Sequence, residues 1–159
     1  MVVDVGFDRL PDATDVVTGP DLLRFAGIEP VRCFALQLEL QIAEKVHAYT
    51  KRYGRDQIGS MRTKDLVDIA LIASLSPHAG DRLLLAIADV FGQRGTHALP
   101  ARLPQPDPDW RVPYGALARE VGLAAELDRG YEIARTLIDP VLRDEVHHGQ
   151  WDPGEFRWR

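Results

Sequence analysis

The stretch Arg62-Thr63-Lys64-Asp65-Leu66-Val67-Asp68-Ile69-Ala70-Leu71-Ile72-Ala73-Ser74-Leu75 decides how this chain is read. From Leu66 to Ala73 every residue is apolar except Asp68. A helix without a polar face is a buried helix. The stretch therefore predicts an interior helix over Lys64–Leu75, capped by Ser60 or Thr63 and stopped before Pro77. Asp68 then falls where an unpaired carboxylate is strongly destabilising, so it is expected to be mostly buried and to meet a cation. Asp65 lies one turn earlier and faces a similar way, which lets the two carboxylates act together. Arg62 and Lys64 stand at the entrance of the same helix.

Upstream, Leu38 to Tyr53 repeats apolar residues at helical spacing, with Ile42, Ala43, Val46 and Tyr49 on one face, and Gly54 ends the run. Lys45 flanks that stripe, while Glu44 and His47 point elsewhere. A short polar connection, Arg55–Ser60, makes the two helices antiparallel neighbours. Lys45 is then placed to reach Asp65 or Asp68. Such a cluster is either a salt bridge locking two helices or a site that binds nucleotide phosphates or positions a nucleophile.

Further out, Val2–Phe7 reads as a β-strand with Asp4 in its middle, and 8–20 as loop. Asp21 caps a short helix, Leu22–Ala26, that stops at Gly27, and Val31–Leu36 is a second strand. Asp81 opens a helix over Arg82–Phe91. Leu99–Pro113 carries five prolines and reads as an extended strap. Helices over Tyr114–Val121 and Leu127–Leu142 follow, with Asp139-Pro140 a kink or an end of the second. The tail brings Trp151 and Trp158 back onto the body. The expected class is α+β, dominated by helices, in a single domain over 1–159. Its parts are a strand-and-loop segment (1–37), the motif-bearing helices (38–93), the strap (94–113) and the C-terminal helices and tail (114–159).

The net charge of −5 argues against a general nucleic-acid coat, but its distribution is uneven. From Glu44 to Lys64 six Lys/Arg face two acids, a formal +4 that leaves −9 for the rest. A local basic patch on an acidic protein suits a phosphate-bearing ligand better than a long polyanion. The longest apolar run is too short to cross a bilayer, and Asp4, Asp8 and Arg9 interrupt any leader-like stretch after Met1. With Cys33 the one cysteine, no internal disulfide forms. These features point to a cytoplasmic, membrane-independent protein. Cys33 itself reads as a core residue of its strand. His147-His148 with Asp144 and Glu145 is a weak metal candidate, and His97 after Thr96 reads as a loop hydrogen-bonder. Gly59-Ser60 before Arg62-Thr63-Lys64 fails the P-loop spacing.

Glu39-Leu40-Gln41-Ile42-Ala43-Glu44-Lys45-Val46-His47-Ala48, followed by Arg62-Thr63-Lys64-Asp65-Leu66-Val67-Asp68, resembles the C-terminal half of the nucleotidyltransferase AbiEii/AbiGii toxin family. The family pattern is an A-E-K-[LV]-H-A helix and then K/R-D-x-x-D opening a second helix. Similarity in style extends through Arg94–Pro100 and Trp151-Asp152-Pro153. The resemblance implies the helical part of a fold related to DNA polymerase β-type nucleotidyltransferases, with a small N-terminal strand remnant of the catalytic core. It implies a toxin of type IV toxin–antitoxin and phage-defence systems that transfers nucleotides from an NTP to an RNA or protein acceptor, with Mg²⁺ as cofactor and an antitoxin as partner. Lys45, Asp65 and Asp68 take the catalytic positions, Arg62 and Lys64 the phosphate-binding ones, and Asp4 that of a metal carboxylate. The family's first motif, a Gly-Ser pair followed by D-x-D on a strand, has no counterpart, since Gly59-Ser60 lies after the first motif helix. The expectation is a chain lacking the Gly-Ser and D-x-D half and inactive alone, with a complementary N-terminal half as a possible partner. The rival expectation is a non-enzymatic helical module that binds an antitoxin-like or complementary partner.

Overall fold

The structure is a computed structural model and describes residues 14–52 and 62–159. The expected strand Val2–Phe7, with Asp4, lies outside the described residues, as do Tyr53–Met61. The chain divides into two compact units, Met1–Gln37 and Leu38–Arg159.

The described part of the first unit is a two-stranded antiparallel ribbon. β1 (Thr14–Thr18) pairs with β2 (Arg32–Leu36) in a register that sets Val16 opposite Phe34 and Val17 opposite Cys33. β1 falls inside a segment expected to be loop. Its Thr and Val residues are β-branched and favour extended backbone, a signal hidden by the Asp, Pro and Gly around them. Between the strands the expected helix shrinks to a single 3-10 turn, Arg24–Ala26. Gly27 closes it in the left-handed region at φ 73°, donating its N–H to Arg24 O. Cys33 is exposed rather than buried, because two strands paired edge to edge do not cover each other's faces.

The second unit is helical. It contains α1 (Leu38–Thr50), α2 (Thr63–Leu75), α3 (Gly80–Arg94), α4 (Arg111–Glu120) and α5 (Leu127–Leu142). α2 is the interior helix: Leu66, Ile69, Ala70 and Ala73 have no solvent exposure, and α2 packs on α1, α4 and α5. α1 lies across both α2 and α3 through Ile42, Ala43, Val46 and Tyr49. Helices thus dominate the described residues, with a few short antiparallel strands, as expected of an α+β chain.

The strap is tied down by side chains rather than by a ladder. Tyr49 donates to Pro104 O at 2.7 Å, Tyr131 to Leu103 O at 2.9 Å, and Leu103 N donates to Asp139 Oδ1 at 2.8 Å. It ends earlier than its prolines suggest. A 3-10 turn, Pro108–Trp110, leads straight into α4, where Pro113 occupies the first turn and its missing N–H costs nothing. Pro140 sits likewise inside α5, which runs on to Leu142. The tail folds as a small hairpin, β3 (Trp151–Asp152) with β4 (Arg157–Trp158). Both indoles dock as expected: Trp151 Nε1 donates to Ala73 O at 2.7 Å and Trp158 Nε1 to Leu137 O at 3.1 Å. No helix among the described residues is long and apolar enough to cross a membrane.

Candidate functional site

α1 and α2 run side by side, and their facing flanks bring the charges together. Lys45 Nζ lies 2.6 Å from Asp68 Oδ2 and 3.5 Å from Asp65 Oδ1. Arg62 Nε approaches Asp65 Oδ2 at 3.1 Å, an ion contact rather than an aligned hydrogen bond. The Asp65 side chain is 3% exposed and that of Asp68 25%, so the buried acid is Asp65. At about 100° per residue, Leu66, Ile69, Ala70 and Ala73 form the stripe facing the core. Asp65 borders that stripe and Asp68 lies further round, on the side open to Lys45. Asp68 thus meets its cation and keeps three quarters of its side chain from solvent, as expected, while Asp65 is the more deeply buried of the two acids.

Burial pulls the Lys45 ammonium down, but its hydrogen bond to Asp68 and the charges of Asp68 and Asp65 outweigh this and hold it above the ordinary lysine range. Lys45 is therefore a permanent cation at working pH and not a proton acceptor. Burial pushes the Asp65 carboxyl up, against the pull of Arg62 and Lys45. A carboxyl raised in the folded state costs stability when ionised, and that cost disappears as pH falls through the raised value. Asp65→Asn is accordingly expected to leave stability at pH 7 unchanged or higher by up to about 1 kcal/mol, since Lys45 keeps Asp68. Its advantage over the parent shrinks toward pH 5. Urea unfolding at the two pH values checks this, and a clear loss of stability at pH 7 contradicts it.

A cleft of about 270 Å³ opens beside the cluster, lined by Glu44, Lys45, His47, Lys51, Arg62, Asp65 and Arg94 among others. Four cations and two acids give it a positive balance. Arg94, in the last turn of α3, bridges Glu44 at 2.6 Å. Of the residues singled out in the sequence, Lys45, Asp65, Asp68 and Arg62 converge here. Lys64 is exposed and does not line the cleft, and Asp4 lies outside the described residues. Arg94 and His47 were missed. His47 does not point away: it is 4% exposed and packs edge-on to Phe91 of α3. Helical phase places it beyond the stripe, and only the docking of α3 buries it.

Among the described residues no three His, Cys, Asp or Glu side chains converge as a metal site requires. Asp65 and Asp68 face cations, so these residues do not by themselves make a Mg²⁺ site. His147 pairs with Asp144 at the surface. The chain's one literal Asp-x-Asp, Asp107-Pro108-Asp109, is a turn in which Asp107 accepts from Asp109 N at 2.9 Å.

No curated protein matches the chain. The sequence profile described as nucleotidyl transferase AbiEii toxin, type IV TA system, matches residues 1–142. A match over that much of the chain, on the helices that carry Lys45, Asp65 and Asp68, makes this a member of the AbiEii nucleotidyltransferase toxin family of type IV toxin–antitoxin systems.

Proposed function

We propose that these residues supply the cationic side of a nucleotide-transfer site and do not transfer nucleotides by themselves. Family membership implies a nucleotide substrate and an antitoxin partner. The observation that carries the reading is Lys45, held between Asp65 and Asp68 at the mouth of a positively charged cleft. A permanently protonated amine fixed by two carboxylates is suited to receive a phosphate group, whose charge competes with Asp68 for Nζ. Arg62 adds a planar donor fork on the same side, and Lys64 adds charge at the start of α2. Asp65 and Asp68 orient the lysine. Mg²⁺, when present, would supply charge stabilisation at the phosphates, and its ligands would have to come from Asp4 and from carboxylates beyond the described set. A polypeptide bearing the Gly-Ser and D-x-D elements is the complement this reading calls for, and an RNA or protein the acceptor. Action in phage defence, in the bacterial cytoplasm, belongs to the same proposal.

Calorimetry with ATP and GTP tests the phosphate reading without any turnover. The expected result is weak binding that falls at least about tenfold in Lys45→Met, which corresponds to losing one charge-assisted contact. Equal affinity in the variant, with its helical circular dichroism intact, would remove Lys45 from the site.

The interaction-module alternative keeps one supporting observation. In the first unit Val16, Val17, Phe25, Val31 and Phe34 are all exposed, and a two-stranded ribbon is marginal on its own. A tight antitoxin-like partner, with no nucleotide binding at all, would favour it.

A further inference from the structure

The cleft beside Lys45 has a second wall. α1 forms its floor, where Glu44 and Lys45 are consecutive and leave the helix about 100° apart. Lys45 turns to α2, where Asp68 and Asp65 hold it. Glu44 turns to α3, where its Oε2 lies 2.6 Å from Arg94 Nη2. Each side of the cleft thus carries a cation set against a carboxylate.

The backbone at Arg94 is fixed independently of that ion pair. Arg94 ends α3, and Gly95 closes the helix in the left-handed region at φ 53°, donating its N–H to Phe91 O at 3.0 Å. Phe91 is buried and packs edge-on against His47 of α1, with ring centroids 5.0 Å apart. The pair itself is half exposed, 49% at Arg94 and 35% at Glu44, and such a pair contributes little to stability. It is made through Nη2, while a guanidinium carries five N–H donors in a planar fork that matches phosphate oxygens.

Size and lining limit what the cleft can enclose. Its volume of about 270 Å³ is below the roughly 300–1,000 Å³ of pockets that close around a whole small molecule. Among the described residues Ala48 is the one apolar side chain in the lining, and the His47 ring is buried, so a nucleotide base finds little to stack on. What the cleft offers is positive charge from two sides.

We propose that Arg94 is a second phosphate-binding side chain of this cleft, on the α3 side as Lys45 is on the α2 side, and that the two walls together seat linked phosphates, as in a di- or triphosphate, in preference to a single phosphate group. The proposal rests on the phosphate reading of the cleft and adds to it a residue outside the two motif-bearing helices. One phosphate draws Lys45 from Asp68, and the next draws Arg94 from Glu44. Glu44 competes with the ligand for Arg94 and holds the guanidinium at the cleft until a phosphate takes it.

Calorimetry with sodium tripolyphosphate and with orthophosphate tests this without a base and without turnover. The parent is expected to bind tripolyphosphate at least about tenfold more tightly than orthophosphate. Arg94→Met should lose about tenfold in tripolyphosphate affinity and less than about twofold in orthophosphate affinity. A cycle with Glu44→Gln separates contact from the field of the charge alone. That variant should tighten tripolyphosphate roughly threefold in the parent, where Arg94 is released to the ligand, and by under half that factor in Arg94→Met. Equal gains in the two backgrounds overturn the proposal, as do equal losses for the two ligands in Arg94→Met or a parent that binds both ligands alike. Helical circular dichroism checks the fold, and Arg94→Gln takes the same place should Arg94→Met fail to fold. Tripolyphosphate binding that is lost in Lys45→Met and untouched in Arg94→Met leaves the phosphate reading standing and overturns the role of Arg94. A parent that binds neither tripolyphosphate nor ATP defeats both.

Discussion

Gly80→Ala should destabilise the chain by about 3 kcal/mol or more, while Gly92→Ala, on the same helix, should stabilise it by about 0.5–1 kcal/mol. A Cβ at Gly80 would come within 1.8 Å of Val146 O and 2.9 Å of its carbonyl carbon. Both are backbone atoms, so no rotamer change relieves the clash. Gly80 N also donates to Gly149 O at 2.9 Å, and Trp151 N to His78 O at 2.8 Å. The start of α3 and the C-terminal segment are thus locked in direct backbone contact, and pushing them apart also draws Trp151 from its buried seat against Ala73. A Cβ at Gly92 would meet nothing within 4 Å, and the alanine merely removes the entropic cost of glycine in a helix. Urea unfolding followed by tryptophan fluorescence separates the two. Similar stability for both variants would mean that the C-terminal segment does not lie where it is described.

That segment also shows what was legible in the sequence. Two tryptophans in a tail announce docking because an exposed indole wastes much apolar area, and both do dock. The hairpin that carries them, with two residues per strand, is too short to give a periodic signal. α5 was read to its ends, Leu127 and Leu142, because its apolar and polar faces separate cleanly. The Lys45–Asp68 contact was legible because a lone acid in an apolar helix demands a cation. The deeper burial of Asp65 was not, since deciding which flank of α2 is more open requires knowing that α1, α4 and α5 all pack on it. The packing of His47 against His97, ring centroids 4.6 Å apart, was hidden for a similar reason. His47 and His97 are far apart in sequence, and only the docking of α3 on α1 brings them together, though His97 was already read as a hydrogen-bonder.

The largest effect expected concerns turnover. A two-metal nucleotide transfer needs carboxylates to hold the ions that neutralise the phosphates, and the proposed function assigns that role to Asp4 alone among the acids singled out in the sequence. Asp65 and Asp68 are committed to Lys45 and Arg62. On that proposal a single acid holds Mg²⁺ weakly. The charge that develops in transfer then goes unstabilised, and the rate falls by many orders of magnitude. Phosphate affinity at Lys45 does not repair this, because binding the ground state alone does not lower the barrier. The measurement that tests the account most directly is incubation of the purified chain with labelled NTPs, Mg²⁺ or Mn²⁺, and bulk RNA or partner protein. It is run with and without a separate polypeptide carrying the Gly-Ser and D-x-D elements. The account predicts no incorporation by the chain alone, and incorporation with the added polypeptide that is lost in Lys45→Met. Incorporation by the chain alone that disappears in Asp4→Ala or Asp65→Ala would contradict it.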